Sequence, residues 1–185
     1  MKKRTLIILV ALVAVFGMAV GGTIAWLTDQ TKPITNTFTV GNINIELEET
    51  ITEFKMVPGV TIAKDPKITV KSGSEACYLF VKVEKSANLD EFISSAMAAG
   101  WTALTSVDGV YYREVNATAS DTTFSVLAND QVTCKDSVTK EMMDALTEAA
   151  TYPTLTFTAY AVQQSGSATA AEAWAKVTTT PTTTP

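Results

Sequence analysis

Ser137-Val138-Thr139-Lys140 has the S-x-x-K spacing of serine–lysine acyl transfer, in which the lysine takes the proton of the attacking hydroxyl. The same four residues stand where a helix is expected to begin, and Ser, Thr and Lys gather there to cap it. No S-D-N or K-T-G partner occurs in the chain, so capping is the preferred reading. Glu46, Glu48 and Glu49 offer carboxylates to a calcium ion. Strand alternation sends Glu46 and Glu48 to solvent, and the run of oxygen ligands that a calcium loop needs is missing. The chain has no histidine, which excludes Ser-His-Asp and Cys-His nucleophile sites, histidine-bound zinc and the HExxH helix. Its two cysteines are too few to cage zinc alone. No catalytic residue, metal or cofactor is expected, and the chain is read as a non-enzyme. Cys77 and Cys134 both read as inward-facing on strands. They are either disulfide partners, closing a loop worth up to about 4 kcal/mol, or two buried thiols. Asn116-Ala117-Thr118 is a glycosylation sequon by pattern and reads as a loop. Trp101, Tyr111, Tyr112 and Trp174 could line a sugar-binding surface, but their strand and helix positions favour the core.

A mainly β body must position these residues. The chain has 185 residues, 46% apolar and 18% charged, enough for one domain with a substantial core. Its net charge is −5, and residues 1–25 contribute Lys2, Lys3 and Arg4 without an acid, so the body is more acidic still. Such a body repels phosphate backbones, and no nucleic-acid partner is expected. Ile34, Phe38 and Val40 lie on even positions, with Asn36 the polar exception among them, whereas Ile43, Ile45 and Leu47 lie on odd ones. That phase change requires a bulge or bend, which Gly41 is suited to supply, so two consecutive strands are predicted. Another strand begins at Ile68 and Val70. The next, Cys77–Glu84, sets Cys77, Leu79, Val81 and Val83 on one face, with Lys82 and Glu84 opposite. Asp108-Gly109 is a hairpin turn between strands at Trp101–Val107 and Val110–Val115. Strands are also predicted at Thr123–Leu127, Gln131–Cys134 and Leu155–Gln163.

Three short helices interrupt the pattern. The first is capped by Asn88, ends at Gly100 and turns Leu89, Phe92, Ile93 and Met97 to one face. The second is capped by Thr139, with Val138 and Met143 at hydrophobic-staple positions. The third opens on the capping box Thr169-x-x-Glu172 and turns Trp174 and Val177 inward. Residues 178–185 form a Thr/Pro-rich tail predicted to be disordered. Many short strands with few helices predict a β-sandwich over residues 26–177.

Met1 to Arg4 are basic at three positions, and no residue from Thr5 to Thr28 is charged. That stretch is long enough to span a bilayer. It decays into Gly21-Gly22 and reaches Thr23-Ile24-Ala25, a small-x-small cleavage site. Residues 1–25 are therefore read as a signal-peptide helix cut after Ala25, with a permanent anchor as the alternative. Both place the body outside the cytoplasm.

The segments Ala25-Trp26-Leu27-Thr28-Asp29, Asn36-Thr37-Phe38-Thr39-Val40-Gly41 and Ile43-Asn44-Ile45-Glu46-Leu47 resemble the start of the TasA/camelysin family of exported Gram-positive proteins. Leu27 stands where that pattern has an aromatic. Pro58-Gly59, Lys64-Asp65-Pro66, Cys77–Glu84, Phe157–Gln163 and Ala173-Trp174 extend the resemblance through most of the chain. The resemblance implies a jelly-roll sandwich and removal of the leader by a SipW-type signal peptidase that reads Thr23, Ala25 and Trp26. It further implies a secreted subunit of biofilm-matrix or cell-surface fibres, alone or with an accessory anchoring protein. The freed segment 26–40 is apolar and extended, and a lone strand must pair with something. It either folds back on its own sandwich or completes the sheet of a second copy, with Trp26, Ile34, Phe38 and Val40 as donor-strand side chains. Head-to-tail donation does not close, so it produces a homopolymeric filament. The alternatives are a monomeric surface adhesion module and a camelysin-type protease, the latter without the histidines a zinc site would use.

Overall fold

The computed structural model describes residues 41–50 and 54–179. The leader, the segment 26–40 and the tail beyond Thr179 lie outside the described residues. In chain order the elements are β1 Ile45–Glu48, β2 Thr61–Ala63, β3 Lys67–Val70, β4 Cys77–Lys85, α1 Leu89–Phe92, β5 Ile93–Ser94, β6 Thr102–Ala103 and β7 Val110–Val115. They continue with β8 Thr122–Ser125, β9 Gln131–Cys134, α2 Lys140–Asp144, β10 Leu155–Gln163 and α3 Ala170–Thr179. The strands form three antiparallel sheets, ordered β1-β3-β8, β10-β4-β7-β6 and β2-β9-β5.

Alternation along β4 explains why this strand organises the molecule. Cys77, Leu79 and Val81 point to one side and pack with Ile68, Val70, Val115 and Val126, joining the first two sheets face to face. Tyr78 and Phe80 point to the other side, where α3 lays Ala170, Ala173 and Trp174 over them. The sequence pattern identified only the first of these faces. The register is continuous: β10 pairs with β4 from Leu155↔Lys85 to Gln163↔Cys77, and β7 flanks β4 on its other side. A third cluster, Leu89, Phe92, Ile93, Leu127, Val132, Cys134 and Val138, sits beneath the third sheet. Each such side chain, once fully buried, contributes about 1.5–3 kcal/mol.

Capping works largely as the sequence predicts. Thr139 Oγ1 accepts from the Met142 amide at 3.3 Å, and Val138 is buried beside half-buried Met143. Thr169 Oγ1 accepts from the Glu172 amide at 3.2 Å, while the Glu172 carboxylate accepts from the amide of Ala168 rather than of Thr169.

The first predicted helix is different. It makes one turn, α1, and then becomes strand β5, with Ile93 opposite Cys134 and Met97 bridged to Leu127. The Asn88 side chain accepts no capping hydrogen bond; its Nδ2 donates to the Thr151 carbonyl at 2.9 Å instead. A helix this short is marginal alone, and pairing with β9 supplies backbone bonds while burying Ile93. The predicted strand Trp101–Val107 shrinks to β6, because Leu104 donates to Val110 and Val107 donates to Leu104, closing a turn. Gly109 completes that turn at φ 72°, with space for a Cβ blocked by the Val83 carbonyl oxygen at 2.6 Å. Helix α3 runs to Thr179, two positions into the predicted tail.

Candidate functional site

β1 is outermost in the first sheet and β10 in the second, and the two lie against each other across the sandwich. No ladder joins them, and among the described residues neither outer edge carries another strand. The β10 edge is nine residues long. Its side chains are mostly half-buried, with Phe157, Ala159 and Ala161 turned to the inter-sheet core and Tyr160 and Val162 to the α3 side. An opening of about 370 Å³ separates Leu47, Glu49 and Pro66 from Leu155 and Phe157. At the Leu155 end the flank leads to a larger cleft of about 1060 Å³, with Phe54, Met56, Ile62, Val132, Met143 and Leu146 in its wall. An unpaired edge beside apolar space can do one thing chemically: accept an extended segment through backbone hydrogen bonds and side-chain pockets.

Lys64 stands at the junction of the two openings. Its Nζ lies 2.5 Å from Glu49 Oε1, with only 9% and 16% of the two side chains exposed. The ammonium is also 4.9 Å from the Phe54 ring centre and 5.6 Å from that of Phe157. Next to it, Asp65 accepts from the Thr50 hydroxyl at 2.8 Å and the Thr50 amide at 3.2 Å, which holds its carboxyl below the usual value. Together these contacts pin the chain as it leaves β1. The sequence reading placed Glu49 among solvated acids, and its partner is not legible there. Lys64 and Glu49 are distant in sequence and meet only because β1 and β3 pair.

The remaining sequence candidates are placed as follows. Thr23, Ala25, Trp26, Ile34, Phe38 and Val40 lie outside the described residues. Cys77 and Cys134 are free, buried thiols on different strands and in different clusters, and burial raises the pKa of each. Of the two alternatives drawn from the sequence, the structure has the second. Ser137 is exposed, and Lys140 is engaged with Asp144 one helical turn away, so no serine–lysine pair forms. Glu46 and Glu48 are exposed on β1 as alternation requires, Glu46 meeting Lys71 at 2.5 Å. Among the described residues no group of three or more His, Cys, Asp or Glu side chains is placed to hold a metal ion. Trp174 is core, 5.2 Å from Phe80 and 5.3 Å from Tyr160 between ring centres. Tyr111 and Tyr112 pack against the two faces of the second sheet. Trp101 is half-buried and donates from Nε1 to the Ser125 carbonyl at 2.9 Å.

No family model, no curated protein and no solved structure matches this chain.

Proposed function

We propose that this chain is a secreted structural protein, a fibre-forming subunit of a bacterial biofilm matrix or cell surface. In this reading the body is a jelly-roll sandwich, and a SipW-type signal peptidase removes residues 1–25. The freed segment 26–40 then pairs with a second copy, head to tail. The resemblance to TasA-like proteins motivates the reading, and the observation that carries it is the open nine-residue edge of β10. An edge of that length with half-buried side chains is an aggregation hazard if left bare, and a donated strand satisfies it. Ile34, Phe38 and Val40 fall on one face of an extended segment, with Asn36 the polar exception among them. A heterologous contact of this kind propagates into a filament. An accessory protein would serve to anchor the filament, not to catalyse anything.

The test is a secreted variant whose mature chain begins at Gly41. Negative-stain imaging of the wild type should show filaments, and the variant should remain monomeric by light scattering with its β circular-dichroism spectrum retained. Filaments of the truncated chain at wild-type abundance would refute donation by residues 26–40.

A further inference from the structure

The two ends of the β10 edge differ in chemistry. At the Leu155 end lies the cleft of about 1060 Å³, with Met56, Ile62, Met143, Leu146 and Leu155 half-buried in its wall and Tyr152 exposed beside them. Apolar surface of this kind, open to water, marks a place where something docks. Lys55 is exposed in the same wall. The Gln163 end has polar side chains instead. A Cβ on Gly41 would stand 3.2 Å from Gln163 Nε2 and 3.4 Å from Glu75 Cγ, and Glu75 and Gln163 are both exposed.

The length of chain ahead of Gly41 fits this asymmetry. Residues 26–40 number fifteen, which span about 50 Å when extended. The β10 edge takes up nine of them, about 30 Å. A donated strand laid with Val40 at Gln163 therefore carries its first six residues, Trp26 to Thr31, about 20 Å beyond Leu155. Trp26 and Leu27, at the tip, are the large apolar residues of those six. Trp26 shares the even positions of Ile34, Phe38 and Val40, so one strand face carries all four. Asp29 is the one acid in the segment, and Lys55 offers it a cation. Laid the other way, the tip would pass Gln163, where Glu75 and Gln163 give an indole no apolar wall. Parallel pairing is slightly weaker per residue than antiparallel, and burial of the indole offsets that difference.

We propose that the cleft seats Trp26 and Leu27 of a second copy, whose donated strand runs parallel to β10. The proposal rests on the donation described above and adds a direction and an anchor to it. It also gives leader removal a physical role. With the leader attached, the 25 residues ahead of Trp26 would have to follow it into the cleft.

The experiment places the photoreactive residue benzoylphenylalanine at position 26 of the secreted chain and mixes this variant with heavy-isotope-labelled wild type. The assembled mixture is irradiated, and cross-linked peptides are mapped by mass spectrometry. The same probe at position 27 keeps the test in force if the peptidase does not cut the first variant. Heavy peptides containing Met56, Met143 or Leu146 should carry the cross-links, and these should be lost when the mixture is unfolded in urea before irradiation. Cross-links to heavy peptides at Gly41, Glu75 or Gln163 instead would overturn the cleft and the direction, while leaving strand donation intact. Filaments without cross-links to either end would overturn the anchor alone. Cross-links to the cleft confined to the probe-bearing copy would overturn the second copy as donor, and with it the filament reading.

Discussion

Lys64→Met should destabilise the protein far more than the double replacement of Lys64 by Met and Glu49 by Leu. The single change leaves a carboxylate only 16% exposed, with the Lys64 ammonium removed and Phe157 nearby. Breaking a buried pair in this way costs about 3–5 kcal/mol, and the residual exposure of Glu49 puts the expected loss near the lower end, about 3 kcal/mol. The contacts of the ammonium with Phe54 and Phe157 add about 0.5–1 kcal/mol each, partly replaced by methionine packing. Replacing both charges removes the desolvation cost along with the attraction, so the double variant should lie within about 1 kcal/mol of wild type. Urea unfolding reads the difference directly. With a slope of about 1–3 kcal/mol per molar, the midpoint of Lys64→Met should fall by about 1–3 M, and that of the double variant should recover most of it. If single and double variants unfold at the same midpoint, the pair is not coupled. If Lys64→Met lies within about 0.5 kcal/mol of wild type, the pair is solvated in practice.

Two further expectations rest on separate features. Trp174→Ala removes the side chain that fixes α3 to Phe80 and Tyr160, and should cost about 3–5 kcal/mol together with most of the near-ultraviolet dichroism from that cluster. A loss below about 1 kcal/mol would mean the helix is not docked by this ring. The pH profile should be flat between about pH 5 and 9, since the chain has no histidine and burial raises both thiols. On the acid side, hydrogen bonds from Thr50 to Asp65 and from the Ser72 amide to Asp121 lower both carboxyl pKa values below 3.8. Their stabilisation is complete above that ordinary value and is lost as pH falls through the lowered ones. On the alkaline side, the hydrogen bonds of Lys71 with Glu46 and of Lys82 with Glu84 raise the lysines above 10.5. That contribution is present below 10.5 and is lost as pH rises through the raised values. A step in Tm between about pH 6 and 8 would contradict this picture.

Much of the architecture was legible in the residues. Alternation marked β4 and β9 because each turns one run of apolar side chains to the core, and a period of two survives there. The caps at Thr139 and Thr169 were legible because they depend on a few neighbouring residues. The segment after Leu89 was misread as a longer helix, since Leu89, Phe92, Ile93 and Met97 fit a helical face as well as they fit a turn followed by a strand. Only the presence of β9 settles that choice. Within the functional reading, the peptidase and donor positions came from the sequence pattern and lie outside the described residues. The receiving flank came from the structure alone.

The sequence by itself determined a mainly β chain with an acidic body, no histidine chemistry and an apolar segment ahead of Gly41, because composition and local periodicity are properties of neighbours along the chain. The tertiary structure decided what meets across it. β4 became covered on both faces, Cys77 and Cys134 were set in different clusters, Glu49 was joined to Lys64, and Arg113 was set near the rings of Phe124 and Trp101. Those outcomes depend on sheet order and register, and residues far apart in sequence carry no local mark of which partner the register will bring.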